Sequence, residues 1–475
     1  MTAQTVGAAR LRGKAAFIIL LIAGCGVERP PAREGKVLVP RSAATSEEPE
    51  LTLSPNPTGE AATLSTTGRI DTTNPFFQSL GTNGRSCVSC HVAGDGWTIN
   101  PGSLQQRFEA TGGADPVFRT NDGSNAPEAD VSTVSARRAA YSMLLGKGVI
   151  RVGIGIPAGA DFDLLAVDDP YHHASAAELS LFRRPLPTTN LAFLSAVMWD
   201  GRETFRGQTL HFDLDHQALD ANAGHAQGAP LTLAQQEAIE AFEVALYTTQ
   251  VRDRAAGNLT ARQARGGPVA LSTVPFFIGI NDPLGPPGGF NPVAMTLFDS
   301  WAQAAPGGNA SDENLEGRAA ARASIVRGQR LFNLKPITID RVRGLNPDGP
   351  PIAGTCTTCH NTPDAGDHSV SLPLDIGLTD ASRRTPDLPL YTLRNLATGE
   401  TFQTTDPGRA LITGKWADRG RFKGPVLRAL ATRGPYFHNG SAATLDDVLD
   451  FYTGRFGVVF TAAERRDLIA FLRAL

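Results

Sequence analysis

Two copies of one short cysteine motif constrain this 475-residue chain more than any other feature. Cys87-Val88-Ser89-Cys90-His91 lies in the first half and Cys356-Thr357-Thr358-Cys359-His360 in the second. Two thiols three positions apart can each bond a vinyl group of one porphyrin, and the adjacent histidine is then held under the iron. A zinc knuckle would need four ligands close in space. A redox Cys-x-x-Cys would need neither the histidine nor a second copy. The fifth cysteine, Cys25, is remote, so none is left over for a disulfide within the folded part. The motifs predict two covalent haems c, held by Cys87 and Cys90 and by Cys356 and Cys359. His91 and His360 are the expected iron ligands.

The N-terminus reads as a targeting segment. Arg10, Arg12 and Lys14 flank an apolar run, Ala15 to Ala23, that is short for a bilayer span. The run ends Ile22-Ala23-Gly24-Cys25, which is similar to a lipoprotein signal sequence, so residues 1–25 read as a lipoprotein signal peptide whose cleavage leaves Cys25 as the lipidated first residue of the mature chain. The alternative is an ordinary signal peptide with an incidental cysteine. Residues 26–65, rich in Pro, Glu, Ser and Thr and without periodicity, read as a disordered tether. Haem attachment of this kind occurs outside the cytoplasm, so the expected location is the periplasm, with membrane contact only through the lipid anchor. A net charge of −3 without a cluster of Lys and Arg argues against a nucleic-acid partner.

Two motifs imply two cytochrome c-like domains, 66–310 and 311–475, with a boundary near residues 303–318, where Ala-Pro-Gly-Gly-Asn-Ala-Ser breaks the pattern. Ser132 to Leu145, Thr232 to about Thr248, Ala319 to Phe332, Thr444 through Tyr452 and the segment opened by Thr461 and Glu464 all carry helix patterns or caps. Ile150, Val152, Ile154 and Ile156 alternate with Arg151, Gly153 and Gly155, and Pro157-Ala158-Gly159-Ala160 turns the chain toward Asp161 to Val167. That pattern predicts a β-hairpin. The expected fold class is mainly α, with a small β-hairpin insertion in the first domain.

Beyond the two cysteine motifs the sequence resembles the bacterial di-haem cytochrome c peroxidase and MauG family. In the second half the resemblance rests on Phe422-Lys423-Gly424-Pro425-Val426-Leu427-Arg428, on Gly434-Pro435-Tyr436-Phe437-His438-Asn439-Gly440-Ser441 and on Thr444-Leu445. In the first half it rests on Asn190 and Trp199-Asp200-Gly201-Arg202. The resemblance implies that Trp199 relays electrons between the haems. Typical members place a distal Gln ten residues after this Trp and a Glu ten further on, but those positions here are Thr209 and Leu219. A two-turn insertion would give the roles to Gln217 and His225. The family's interdomain calcium is put in doubt by Arg183, Arg184 and Arg433, which make its neighbourhood cationic. His172 and His173 stand where peroxidases of this family keep a displaceable sixth ligand. Fourteen residues after His438, where many members have a methionine ligand to the second iron, stands Tyr452, as in MauG-type enzymes.

The resemblance implies an enzyme that reduces hydrogen peroxide at the first haem. Its electrons would come from a small periplasmic cytochrome c or cupredoxin, through the second haem and Trp199. A MauG-like oxidation of a partner protein or organic substrate, a plain di-haem electron carrier and an oxygenase are the competing readings.

Overall fold

The computed structural model describes residues 50–302 and 313–475. The targeting segment with Cys25, residues 26–49 of the expected tether and most of the predicted interdomain break lie outside the described residues. The end of that tether is ordered instead. Leu51–Asn56 and Gly59–Ser65 form an antiparallel hairpin, and the second strand pairs with Leu246–Asp253. Its Thr and Ser content reads as tether composition, yet Thr63 is buried and its hydroxyl meets that of Thr248 at 2.9 Å. β-branched threonine suits a strand face that is covered on one side.

The mainly-α expectation is overturned. Among the described residues eleven α-helices share the chain with eleven strands in four small sheets, so the fold is mixed α and β. The predicted hairpin is also repaired. Ile150–Ile154 pairs with Leu179–Arg183, and Phe162–Asp168 pairs with Leu390–Asn395 across more than two hundred positions. The period-two pattern located the strands correctly, but a local turn signal cannot report a distant partner. Tyr391, Leu393, Leu179, Leu181 and Phe162 bury one apolar face where these two sheets meet. That burial outweighs the short loop closure that a local hairpin would have offered.

The helices follow their caps. Thr232 accepts from the backbone N–H of Gln235 and opens Leu233–Val244, after which the chain turns to strand. Thr444 opens Leu445–Phe456, closed by Gly457 at φ 67°, and Thr461 opens Ala462–Arg473. The predicted helix over 132–145 is two, Val134–Ala140 and Ser142–Lys147, broken at Tyr141.

Each cysteine motif rests on its own apolar cluster. Phe76, Trp97, Ile239 and Phe242 lie under Cys87, and Phe298, Phe332, Leu468 and Phe471 lie under Cys356. Phe471 is fully buried against Phe298 and Phe332, so its truncation to Ala would cost about 3–5 kcal/mol.

Candidate haem sites

The two motifs fold into the same small device. Cys87–Ser89 and Cys356–Thr358 are single 3₁₀ turns. The N–H of Ser86 donates to Ser89 Oγ at 3.1 Å, and that of Thr355 donates to Thr358 Oγ1 at 3.0 Å. The hydroxyl residues between the cysteines thus close the turn in both copies. The N–H groups of His91 and His360 then donate to the carbonyls of Cys87 and Cys356, at 2.9 and 3.0 Å.

Six residues after each histidine the chain returns beneath its ring. His91 Nδ1 meets the Trp97 carbonyl at 3.2 Å, and His360 Nδ1 meets that of Gly366 at 2.8 Å. A carbonyl only accepts, so Nδ1 carries the proton and Nε2 keeps its lone pair for a metal. Burial pushes His91 down to about 4 and lowers His360 as well. Both rings are therefore neutral near pH 7. The bend needs positive φ in both copies, 62° at Trp97 and 77° at Gly366. For Trp97 this is strained backbone, held by burial of its ring and by an indole N–H donated to Thr63 Oγ1 at 2.9 Å.

A large cavity opens beside His91. Its walls include Cys87 and Cys90, apolar Ile150, Leu194, Val197, Met198 and Leu214, and the cationic Arg183, Arg184, Arg202 and Arg433. Arg433 Nη2 is buried and has no hydrogen-bond partner among the described residues. Apolar walls with one unpartnered guanidinium nitrogen among them fit a flat porphyrin carrying two carboxylates. The residues present fit a haem c.

Trp199 lines this cavity. Its indole N–H donates to the Arg184 carbonyl at 2.8 Å, and its own carbonyl accepts from the N–H of Lys423 at 2.8 Å. The next residue, Asp200, is buried between Arg183 at 2.5 Å and Arg202 at 3.2 Å, and Arg183 also grips Asp406. Gly201 has φ 72°, and a side chain there would strike the guanidinium of Arg409. The Trp-Asp-Gly-Arg tetrad is thus bonded into residues of the second half.

Of the four positions weighed for distal groups, Gln217 and His225 line the cavity, both from the helix Leu210–His225. Thr209 caps that helix, and Leu219 packs on the Phe76 cluster. His225 Nδ1 meets Asp122 at 2.5 Å. His173 is engaged at both nitrogens, by Glu128 at 3.0 Å and Glu178 at 3.4 Å, and neither it nor His172 lines the cavity. Arg184 donates to the carbonyls of Ile99, Lys147 and Arg433, and Arg433 to those of Gly96 and Arg428.

At the second motif Tyr452 packs in the cluster that contains Cys356 and Cys359, beside Val342, Leu374 and Phe456. Burial, with Cys359 and Cys356 nearby, lifts its phenol above the usual range. Sequence reasoning passed over Asp122, Arg85 and Glu243, which stand in or behind the cavity wall. The position of Arg85 two residues before Cys87 was a usable signal, whereas nothing local marks Asp122.

No family model matches the chain. Curated relatives match part of it. The chain is 35% identical over 136 residues to a cytochrome-c peroxidase of Denitromonas iodatirespirans, covering 26% of this chain and 36% of that one. It is 32% identical over 174 residues to a second cytochrome-c peroxidase of that organism, covering 33% and 42%. Against the cytochrome c551 peroxidase of Nitrosomonas europaea it is 31% identical over 124 residues, covering 25% and 30%. The matches thus span less than half the length of these relatives. Among solved structures, a MauG-like protein associated with microbial copper homeostasis is similar at 17% identity, with 91% of this chain and 95% of that one covered and a TM-score of 0.39.

Proposed function

We propose that this chain, a relative of the cytochrome c peroxidases, is a di-haem oxidoreductase that reduces hydrogen peroxide in the cavity of His91. The observation carrying the reading is the repeated turn that presents a neutral histidine Nε2, joined in the first copy to a cavity walled by Trp199, Gln217 and His225.

Cys87 and Cys90 would hold one haem c and Cys356 and Cys359 the other, with His91, His360 and Tyr452 toward the irons. A haem in the first cavity supplies the redox iron for O–O cleavage. The protein supplies the rest. Arg433 offers its unpartnered Nη2 to a propionate. The apolar wall of Ile150, Leu194, Val197 and Leu214 excludes water. His225 Nε2 takes the proton from the inner peroxide oxygen and returns it to the outer one, making water the leaving group. Gln217 orients the peroxide by hydrogen bonding. Trp199 is the residue we assign to electron passage. The net change is H₂O₂ + 2H⁺ + 2e⁻ → 2H₂O, with electrons from a small periplasmic cytochrome c or cupredoxin. The protein itself we place in the periplasm as a lipoprotein, and Cys25→Ala should move it from the membrane to the soluble fraction.

A MauG-like oxidation of a partner protein or organic substrate is the second reading, favoured by Tyr452 beside the second motif. Turnover of peroxide with a panel of small c-type cytochromes decides. Oxidation of the reduced donor, two donors per peroxide, supports peroxide reduction. A ferric protein that reacts with peroxide but oxidises no donor favours the second reading. A wholly low-spin oxidised protein, inert to peroxide in every redox state, would leave only an electron carrier.

A further inference from the structure

The proposed acid–base residue is itself held by a second group, and the geometry of that hold is specific. Asp122 is buried, and its two oxygens are divided between two partners. Oδ1 pairs with a guanidinium nitrogen of Arg85, and Oδ2 meets His225 Nδ1 at 2.5 Å. Arg85 is in turn fixed by the backbone, donating to the carbonyls of Pro116 at 2.8 Å, Val117 at 2.7 Å and His225 at 3.2 Å. Asn83 adds a donation to that same His225 carbonyl at 2.8 Å. The end of the helix is therefore gripped through its backbone and its ring together.

We propose that Asp122 is a positioning residue that sets the tautomer and orientation of His225, with Arg85 fixing the carboxylate from behind. The proposal rests on the peroxide-reducing reading above. A carboxylate at Nδ1 requires the proton there, which leaves Nε2 as the basic nitrogen of a ring that lines the cavity. A carboxylate needed only to neutralise Arg85 would have no reason to turn one oxygen to the histidine. Burial pushes the Asp122 carboxyl up, but the His225 hydrogen bond and the Arg85 charge outweigh it and hold it ionised. Asp122 meets the His225 ring, Arg85 holds its backbone carbonyl, and His91 lines the same cavity.

Cyanide binding tests this apart from turnover, because hydrogen cyanide must give up its proton on binding and Nε2 is placed to take it. Association rates against pH are compared for the haem-loaded wild type, His225→Ala, Asp122→Asn and Asp122→Glu. We expect His225→Ala and Asp122→Asn each to slow association by roughly tenfold or more at unchanged haem content, with partial recovery in Asp122→Glu. Wild-type rates in Asp122→Asn beside a slowed His225→Ala overturn the positioning role and leave the acid–base reading intact. Wild-type rates in His225→Ala overturn both assignments, while peroxide turnover still tests the peroxidase reading. Should Asp122→Asn lose haem, ¹⁵N spectra of wild-type His225 decide. A proton on Nδ1 supports the proposal, and one on Nε2 overturns it.

Discussion

Trp199 stands edge-on to His438, their ring centroids 6.1 Å apart. His438 in turn stacks on Phe422 at 4.1 Å with planes 17° apart. Neither His438 nitrogen has a hydrogen-bond partner among the described residues, and burial pushes the ring down to about 4. The three rings therefore form an uncharged aromatic contact running from the first cavity into the second half of the chain. Trp199→Phe keeps an aromatic ring but loses the indole bond to Arg184. It should leave peroxide binding intact and slow electron exchange between the haems. Stopped-flow spectra with exchange at the wild-type rate would remove Trp199 from the relay.

The repeated turn makes a second prediction. Pyridine haemochrome assay and mass spectrometry should find two covalent haems per chain, one of them weakened or lost in Cys87→Ala and the other in Cys356→Ala. A single haem, or bound zinc, would refute the assignment.

The buried ion-pair hub behind the tetrad should govern acid stability. Arg183 is buried between Asp200 and Asp406. Arg183→Met would strip the buried Asp406 of its arginine and leave Asp200 with Arg202 alone, a loss of about 3–5 kcal/mol in urea unfolding. For Asp200, burial pushes the carboxyl up, but Arg183 and Arg202 outweigh it and hold it at about 2, below its ordinary 3.8. A depressed carboxyl contributes stability that is complete above the unfolded value and is lost as pH falls through the folded one. Wild-type stability should therefore decline between about pH 4 and pH 2, and less steeply in Asp200→Asn. Parallel declines would place the acid sensitivity elsewhere.

How far the sequence revealed this molecule depended on how local each feature is. The helix caps at Thr232, Thr444 and Thr461 are spelled by neighbouring residues, and the structure has them where they were read. The strands are not so spelled. Phe162–Asp168 finds its partner in Leu390–Asn395, and no nearby turn announces that pairing. The repeat itself is only half visible, because Gly366 advertises its positive φ and Trp97 conceals the same bend. Asp122 reaches His225 over 103 positions, a separation at which a lone aspartate carries no signal.

Tyr452 gives the most diagnostic test. It stands on the helix Leu445–Phe456, packed in the cluster of Cys356 and Cys359 and stacked on Phe456 at 6.2 Å. Methionine at this place would give a soft sulfur that favours ferrous iron, whereas phenolate is hard and anionic and favours ferric and higher states. None of the three methionines among the described residues stands on the Tyr452 helix or in its cluster. Met198 lines the first cavity, Met143 lies with Val149 and Phe182, and Met295 packs behind Gly366, where a side chain would meet its methyl at 2.5 Å. The protonated phenol is favoured in the apolar cluster, since burial lifts it above its usual range. Ligation would therefore have to draw the proton off, and the ligated form would carry a low potential. The second haem could then not store an electron at high potential, and peroxide should react with the protein while both irons are ferric. Tyr452→Met should create a sulfur-to-iron charge-transfer band and raise the potential of one haem. A variant with neither change would show Tyr452 to be a packing residue on the haem edge, and the case for MauG-like chemistry would lose its support.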